Sequence, residues 1–427
     1  MNIESLYSNF QKCSLVTIDT RKIIPNCMFI ALKGENFDAN IFAQEALDKG
    51  AKYVIIDNKN YFIDSRTILV KNSLEALQDL AQYHRRFLKT PIIALTGSNG
   101  KTTTKELINI VLSKKFNTTA TIGNLNNHIG VPLTLLSFSK NTEIGIVEMG
   151  ANHQKEIEFL CRIAEPNFGY ITNFGKAHLE GFGGIEGVIK GKSEMYDYLR
   201  MHNKVVFVNS DDPIQIKKSK NINSVFFGEN NQIALINLEK ITANPFATIR
   251  YNDLEIKSNL IGLYNANNIC AAITIGKYFD VSDQFIKEGI ENYIPENNRS
   301  QLINKNSNEI ILDAYNANPS SMKAALDNFI QLDKNNKTII IGDMFELGAA
   351  SFSEHKSIVE QMINENNIRC IFVGNYFYQN KINKSNFYFF SDFTALKDYI
   401  IQNKILKNTI LIKGSRGMAL ERILEIL

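Results

Sequence analysis

The sequence predicts an α/β protein of three domains, and three observations support this. The chain has 427 residues, which is about three times the usual length of one domain. Short apolar runs of strand length alternate with stretches of helical periodicity along the chain. In the middle of the chain, one apolar run leads into a glycine turn and then a helix, which is the arrangement of a phosphate-binding loop. We therefore expect a central P-loop-type parallel-sheet domain, a small N-terminal α/β domain and a C-terminal Rossmann-like α/β domain.

Residues 1–88 are expected to form the N-terminal domain, which ends where Lys-Thr-Pro begins at position 89. The predicted strands are 28–32 and 53–57, and the predicted helices are 41–48 and 74–88. Two polar clusters interrupt this pattern. They are Asp19, Thr20 and Arg21, and the segment 33–38 with Lys33, Gly34 and Asp38. Residue type alone leaves turns and a binding site equally open for both clusters.

The central domain is expected over residues 89–298, and the phosphate loop lies near its start. Gly97 and Gly100 let backbone N–H groups turn towards an anion, and the helix that follows adds partial positive charge. Lys101 can reach the terminal phosphates of a nucleotide, and the Thr102 hydroxyl can ligate Mg²⁺. Leu95 stands where the common loop pattern has its first glycine. The flanking strand and helix nevertheless favour a nucleotide site over a simple glycine turn.

Two later segments of the central domain carry polar groups suited to a nucleotide. The segment 123–132, with Asn127, is rich in asparagine amides, which suit sugar or phosphate oxygens but also occur in plain turns. Glu148 ends an apolar run and precedes a glycine turn, where open α/β sheets bind ligands. Together with the phosphate loop, this position favours Glu148 as a Mg²⁺ ligand over a carboxylate that faces solvent.

Three further features of the central domain are less specific. His178 follows another strand end and can bind metal, although a single histidine is more often structural. Lys192 lies in a predicted helix over 185–198, where periodicity alone predicts a surface charge. A further helix is predicted from Leu260. Asn265 and Asn268 would share a face of it, where their amides could read a base or simply cap the helix.

Residues 299–427 are expected to form the C-terminal domain. The predicted strands are 310–312, 338–341, 370–373 and 409–412, and helical stretches separate them. The polar segments that follow three of these strands should lie on one carboxyl edge of the sheet, where ligands bind. Those segments are 313–320, 342–348 and 413–417. Arg299, at the junction of the two domains, could reach a phosphate if the domains close.

Composition excludes several classes of function. The net charge is only +3, and no dense basic patch is interleaved with aromatic residues, so nucleic acid is not an expected partner. No apolar stretch is long enough to span a bilayer, and the first residues do not have the pattern of a signal peptide. The five cysteines are far apart, which argues against disulfides and zinc and favours the cytoplasm.

Taken in order, the motifs of this chain resemble those of the Mur ligases, which add amino acids to the peptidoglycan precursor. The similar segments are 96–103, 124–132, 148–153, 177–183, 313–319 and 413–416. These segments lie in the expected central and C-terminal domains, and the two polar clusters of the N-terminal domain look like the family's uridine-diphosphate motifs, so that the resemblance covers all three domains. The residues found at 148–153 and 313–319 favour the member of the family that adds D-alanyl-D-alanine. One departure is Tyr264, which stands where the family often has histidine.

The resemblance implies a role for each matching residue. ATP would be bound by Thr96, Gly97, Ser98, Asn99, Gly100, Lys101, Thr102, Thr103, Asn127, Asn265, Asn268, Arg299 and Asp313. Thr102 and Glu148 would hold one Mg²⁺, and His178 and a carbamylated Lys192 would hold a second, so that Lys101, His178 and Lys192 would be catalytic. UDP would be bound by Asp19, Thr20, Arg21, Lys33, Gly34 and Asp38. The dipeptide would be bound by Asn316, Asn318, Lys413, Ser415 and Arg416.

The implied reaction joins D-alanyl-D-alanine to UDP-N-acetylmuramoyl-tripeptide through an acyl phosphate, with ATP and Mg²⁺ as cofactors. A monomer in the cytoplasm is expected. Two alternatives stay open. One is a sister ligase that adds a single amino acid, and the other is a nucleotide-dependent switch that ligates nothing. Neither motif nor spacing indicates whether the third residue of the tripeptide is L-lysine or diaminopimelate.

Overall fold

The computed structural model describes residues 2–229, 234–296 and 298–427. Within these ranges the chain forms a four-stranded, a seven-stranded and a six-stranded sheet, a three-stranded antiparallel sheet and a two-stranded hairpin. Helices connect the strands of the larger sheets. The predicted α/β class is therefore confirmed.

The first sheet is parallel and has the strand order β1-β2-β5-β6. This part of the chain contains α1 (Ile3–Phe10), β1 (Val16–Thr17), β2 (Met28–Ile30), β3 (Lys33–Gly34), β4 (Phe37–Asp38), α2 (Ala43–Asp48), β5 (Tyr53–Ile56), β6 (Thr67–Leu69) and α3 (Ser73–Leu88). β3 and β4 form the separate two-stranded hairpin. The predicted helix over 41–48 begins later than expected, at Ala43. The Asp38 side chain caps a 3₁₀ turn over Ala39–Phe42, and this turn takes the place of the first helical residues.

The central sheet is parallel throughout, with the strand order β13-β12-β11-β10-β7-β9-β8. Its elements are β7 (Ile92–Thr96), α4 (Lys101–Leu112), β8 (Thr118–Ala120), α5 (Gly130–Leu136), β9 (Ile144–Glu148), α6 (Glu156–Ala164), β10 (Phe168–Ile171), α7 (Leu179–Phe182), α8 (Ile185–Met201), β11 (Val205–Asn209), α9 (Pro213–Lys218), β12 (Asn223–Glu229) and β13 (Ile236–Leu238). All residues of β7 are buried between its neighbours β9 and β10. The loops that follow these three strands therefore meet at one edge.

An antiparallel sheet and two helices follow. They are β14 (Lys240–Ala243), β15 (Phe246–Tyr251), β16 (Leu254–Ile261), α10 (Ala266–Tyr278) and α11 (Asp283–Glu291). The prediction of a helix from Leu260 is wrong. Leu260 and Ile261 end β16, whose burial mostly alternates as a half-buried strand requires, and Gly262 at φ +89° then turns the chain.

The last sheet has the order β17-β18-β22-β19-β20-β21. Its elements are β17 (Gln301–Lys305), β18 (Asn308–Leu312), α12 (Pro319–Gln331), β19 (Lys337–Gly342), α13 (Ser351–Gln361), β20 (Ile368–Val373), α14 (Asn375–Gln379), β21 (Phe387–Phe390), α15 (Phe393–Gln402) and β22 (Thr409–Lys413). The four predicted strands are present and parallel. The sequence analysis missed β17, which pairs antiparallel at the edge.

Each sheet lies within one of the three predicted ranges 1–88, 89–298 and 299–427, and these domain bounds stay a prediction. In the described part of the chain, no helix combines the length and the apolar character needed to cross a membrane.

Candidate functional site

The phosphate loop joins β7 to α4 in the middle of the central sheet. Gly97 has φ +145° and Gly100 has φ +78°, which are angles that residues with side chains rarely adopt. A Cβ atom on Gly97 would lie 1.9 Å from Oγ1 of Thr172, and one on Gly100 would lie 2.6 Å from Oδ1 of Asn268. Backbone angle and available space therefore both require glycine at these two positions.

Lys101 is the first residue of α4, and its Nζ donates to the Gly97 carbonyl (2.9 Å). Among the described residues, no carboxylate forms a salt bridge with it. Burial lowers the pKa of Lys101, the nearby Glu148 carboxylate opposes that shift, and Arg299 adds to it. The cation is thus held in the loop without a counter-charge in contact, which suits it to an anionic ligand.

Thr102 and Glu148 meet directly below the loop. Oγ1 of Thr102 donates to Oε2 of Glu148 (2.9 Å), and Nδ2 of Asn126 donates to Oε1 (2.8 Å). Glu148 is 1% exposed, so these bonds replace the water that the carboxylate loses on burial. A hydroxyl and a carboxylate in contact are the hard oxygen donors that Mg²⁺ prefers.

Asn126 is a site residue that the sequence analysis missed, and the proximity of Asn127 is the signal that could have found it. Asn127 turns its side chain the other way. Its Oδ1 accepts from the backbone N–H groups of Ile129 (3.1 Å) and Gly130 (2.8 Å) and so stabilises the start of α5. Both asparagines lie at the edge of the same cleft.

Lys192 is buried, contrary to the surface position predicted from periodicity. α8 packs its segment 191–196 into the protein, and Lys192 is 0% exposed. Its Nζ donates to the Ala151 carbonyl (3.1 Å) and lies 5.1 Å from the centre of the Phe182 ring. Burial lowers the pKa of Lys192 well below its ordinary value, and Lys101 adds to that shift. Burial therefore disfavours the charged form of this amine relative to a lysine in water.

His178 lies at the central-sheet edge but is hydrogen bonded to the C-terminal sheet. Its Nδ1 contacts the Glu346 carboxylate, and this hydrogen bond lowers the pKa of Glu346. The His178 side chain is 22% exposed and lines the cleft. The structure brings His178 and Lys192 to the same part of the central domain, but gives them different partners.

Asn265 and Asn268 form a bonded pair at the start of α10. Nδ2 of Asn268 donates to Oδ1 of Asn265 (3.0 Å), and Oγ1 of Thr104 donates to Oδ1 of Asn268 (3.0 Å). Asn265 is the last residue of a 3₁₀ turn and directly precedes α10, but its side chain makes no capping hydrogen bond with the described residues of the helix; its Nδ2 donates to the Ile261 carbonyl (2.8 Å) instead. At the departure from the family pattern, the Tyr264 hydroxyl bonds that of Ser300 (2.8 Å).

The C-terminal sheet faces the phosphate loop with its carboxyl edge. The prediction that three polar strand ends share this edge is confirmed: β18, β22 and β19 are adjacent, and Phe345 N–H donates to Oγ of Ser415 (2.8 Å). Nδ2 of Asn318 donates to Oδ1 of Asn99 in the phosphate loop (2.7 Å). The Arg299 guanidinium lies 3.5 Å from the centre of the Tyr315 ring, and its Nε has no partner in the described residues.

These edges enclose a cleft of about 1350 Å³, to which the start of α3 also contributes. The predicted site residues that line it are Ser98, Asn99, Gly100, Lys101, Thr102, Thr103, Asn127, Glu148, His178, Asn265, Asn268, Arg299, Asp313, Asn316, Asn318 and Lys413. Thr96, Gly97, Lys192, Ser415 and Arg416 are not among its lining residues. The cleft therefore brings together residues that are far apart in the sequence.

The two N-terminal polar clusters lie outside this cleft. In the first, the Arg21 side chain binds Asp19 (2.8 Å) and lowers the pKa of Asp19 to about 2. In the second, Lys33 forms an ion pair with Asp57 (2.8 Å), and Asp38 accepts from the backbone N–H of Asn40 (2.9 Å). The first cluster thus belongs to a 3₁₀ turn over Thr20–Lys22, and the second forms the hairpin of β3 and β4.

Family models and individual relatives both show that this chain is similar to Mur ligases over most of its length. The family model for the Mur ligase middle domain matches residues 95–276, and that for the glutamate ligase domain of Mur ligases matches 298–416. The chain is 34% identical to the UDP-N-acetylmuramoyl-tripeptide–D-alanyl-D-alanine ligase of Bacillus subtilis, over 96% of this chain and 92% of that protein. The ligase of the same name from Escherichia coli is 33% identical, over 96% and 93%.

Solved structures show the same similarity. MurF from Acinetobacter baumannii superposes with a TM-score of 0.88 at 29% identity and covers 99% of this chain and 98% of its own. MurF from Thermotoga maritima, solved in complex with ADP, superposes with a TM-score of 0.84 at 26% identity, over 98% and 97%.

Proposed function

The chain belongs to the Mur ligase family, and from this we propose that it is an ATP-dependent ligase that adds D-alanyl-D-alanine to UDP-N-acetylmuramoyl-tripeptide. One observation carries the proposal. The phosphate loop, the bonded pair Thr102–Glu148 and the C-terminal strand ends all face one cleft. The relatives with this activity in their names match almost the whole chain, which supports the choice of substrates.

Most of the proposed roles belong to residues that line the cleft. Residues 96–103 would hold the phosphates of ATP, Asn265 and Asn268 the adenine, and Arg299 and Asp313 the phosphate and ribose. Asn316, Asn318, Lys413, Ser415 and Arg416 would hold the dipeptide. The uridine nucleotide is assigned to the two polar clusters of the N-terminal sheet, at Asp19–Arg21 and Lys33–Asp38.

Mg²⁺ fits the first of the two proposed sites directly. Thr102 and Glu148 offer a hydroxyl and a carboxylate in contact, and Mg²⁺ bound there would neutralise the charge of the reacting phosphates. The second pair offers two nitrogen atoms, from His178 and Lys192, which suit Mg²⁺ less well. The pair fits if the Lys192 amine adds CO₂ and loses a proton, because the resulting carbamate supplies oxygen donors. Lys192 is fully buried and forms no salt bridge with a carboxylate of residues 2–229, 234–296 or 298–427, which supports that modification.

The reaction would proceed in two steps. The tripeptide carboxylate takes the γ-phosphoryl group of ATP, giving an acyl phosphate and ADP. The amine of D-alanyl-D-alanine then attacks the carbonyl carbon and loses a proton, and phosphate leaves as the amide forms. Lys101 would hold the phosphate charge, and the loop N–H groups would orient it. Contact between Asn318 and Asn99 brings the C-terminal edge over the loop, which would keep water from the acyl phosphate.

The test is phosphate release from MgATP with UDP-N-acetylmuramoyl-tripeptide and D-alanyl-D-alanine, each omitted in turn. We expect release to require all three, with a pentapeptide product by mass and slow ATP hydrolysis otherwise. Running both tripeptides, with L-lysine or diaminopimelate, identifies the third residue. Release that needs a single amino acid in place of the dipeptide would indicate a sister ligase. ATP binding with no amide product from any amine would indicate a nucleotide switch.

We further propose a monomer that acts in the cytoplasm. All five cysteines are free, and four of them are buried, as expected for a reducing compartment. Light scattering after size exclusion tests the monomer, and cell fractionation tests the location.

A further inference from the structure

A carboxylate from the C-terminal sheet holds the His178 ring at the edge of the central sheet. Glu346 lies in the loop after β19, and its Oε2 contacts Nδ1 of His178. The backbone makes the same connection, because Glu180 N–H donates to the Glu346 carbonyl (3.2 Å). Side chain and backbone thus fix one short loop against the other across the boundary between the two sheets.

Both residues have unusual backbone angles. His178 has φ +52° and Glu346 has φ +62°, in the left-handed region that residues other than glycine rarely adopt. Such angles persist where the surrounding structure determines them, and they gather at functional sites. Gly348, at φ +53°, lets the two loops approach each other closely, because a Cβ atom there would lie 3.2 Å from Cβ of Glu180.

The contact has a chemical consequence for the imidazole. When Nδ1–H donates to a carboxylate, the lone pair of the neutral ring lies on Nε2. Nε2 of His178 has no hydrogen-bond partner in the described parts of the chain, and the residue lines the cleft. A metal-binding histidine typically donates its second ring N–H to a carboxylate or carbonyl, which fixes the tautomer and raises its basicity.

We propose that Glu346 is a positioning residue for His178: it fixes the Nδ1–H tautomer and the ring orientation, so that Nε2 is presented to the cleft. Because Glu346 lies on the C-terminal sheet, His178 is set only when that sheet lies against the central one. The identity of the Nε2 ligand, Mg²⁺, rests on the proposed function. The tautomer is a property of the protein alone and can be tested without it.

The chain provides a matched control for this contact. Lys176, two residues before His178, forms an ion pair with Glu354 (2.6 Å), also on the C-terminal side. Glu354→Gln removes a carboxylate from the same boundary without touching the imidazole. Glu346→Ala removes the proposed acceptor, whereas Glu346→Gln keeps an amide oxygen that can still accept from Nδ1–H.

The first experiment records ¹⁵N spectra of the histidine rings at pH 8, without metal or nucleotide. The protein has six histidines, and His178→Gln identifies the signals of interest by their loss. We expect the Nδ1–H tautomer in the unsubstituted protein, in Glu354→Gln and largely in Glu346→Gln, and a shift towards Nε2–H in Glu346→Ala. An unchanged His178 tautomer in Glu346→Ala would overturn the proposal.

The second experiment titrates Mg²⁺ in the ligation assay. Loss of such an outer carboxylate typically weakens metal affinity by about 10–100-fold. We expect Glu346→Ala to raise the half-saturating Mg²⁺ concentration about tenfold, Glu346→Gln to raise it less, and Glu354→Gln to leave it within about twofold. Equal effects of Glu346→Ala and Glu354→Gln would reduce Glu346 to an interdomain contact. If the unsubstituted protein ligates nothing, the proposed function fails and the ring spectra alone decide the role of Glu346.

Discussion

The central and C-terminal sheets each place a lysine at a carboxyl edge, but only one of these lysines is neutralised. Lys413 ends β22, is 2% exposed and binds Oδ2 of Asp313 (2.5 Å). Lys101 begins α4, and its Nζ donates to the Gly97 carbonyl without forming a salt bridge to any carboxylate in the described part of the chain. Lys101 is half-buried at the cleft, and a partly desolvated cation is stabilised when an anionic ligand supplies the counter-charge. The difference indicates that the central edge is built to receive an anion, whereas the C-terminal edge balances its own charge.

The loops at the two carboxyl edges also differ, in the space that they leave for an added side chain. At the central edge, Gly97 leaves no room for a side chain because Thr172 lies against it. At the C-terminal edge, a Cβ on Gly417 would meet the ring of Phe345 at 2.8 Å, and that side chain is 39% exposed and can move. We therefore expect the phosphate loop to tolerate far less change than the C-terminal loop.

The largest expected effect is that of Lys101→Met on activity. Removing the charge that meets the phosphates should reduce ligation by about 10³-fold, as for other electrostatic groups of this kind. The free energy of unfolding should stay the same or rise, because burial already disfavours this cation. Phosphate release and urea unfolding measure the two effects. A large loss of stability would show that Lys101 is structural, and the contrast with Lys413 would fail.

Gly97→Ala should destabilise the protein by at least about 2 kcal/mol, because an unfavourable backbone angle and overpacking each cost roughly 1–3 kcal/mol. Gly417→Ala is the matched change in the C-terminal loop and should cost less than about 1 kcal/mol. Urea unfolding of both variants measures the difference. Similar losses would mean that the two loops are equally constrained.

Lys413→Met should cost about 2–3 kcal/mol, because it leaves the Asp313 carboxylate without its cation. This is below the roughly 3–5 kcal/mol typical of fully buried pairs, since 15% of the Asp313 side chain is exposed. Adding Asp313→Asn should recover more than half of the loss in urea unfolding. Losses that simply add in the double variant would show that the two groups do not act as a pair.

The smallest expected effect comes from a surface ion pair of the C-terminal domain, which sets the scale for the others. Lys334 binds Glu309 (2.7 Å), with side chains 42% and 29% exposed. Lys334→Ala should change the free energy of unfolding by about 0.5 kcal/mol, as for exposed pairs. A loss similar to that of Lys413→Met would mean that burial does not separate the two pairs.

Local pattern accounts for the parts of the fold that were predicted. The order of strand, glycine turn and helix around Gly97, and the four parallel strands after residue 309, depend on apolar spacing within a few residues. The errors arise where neighbours in space decide. Leu260 and Ile261 fit a predicted helix because apolar runs of strand and helix are alike over short stretches, but both lie in β16, where Ile261 pairs with Phe246 of β15.

The candidate site shows the same division. Most of the site residues predicted from sequence motifs line the cleft, but Lys192 is buried where periodicity predicts a surface charge, and Asn126 and Glu346 are not among the predicted site residues. Whether α8 presents Lys192 to water or to the interior depends on the elements that pack against it, which helical periodicity does not encode.

The sequence by itself determined the α/β class, the order of strand, glycine turn and helix around Gly97, and the glycines of the phosphate loop, because these follow from spacing and backbone freedom. Only the tertiary structure decided that Lys101 stays without a counter-charge, that Lys413 pairs with Asp313, and that Glu346 reaches His178. Each of these depends on which distant segments meet, and charges act through distance and burial, not through separation along the chain.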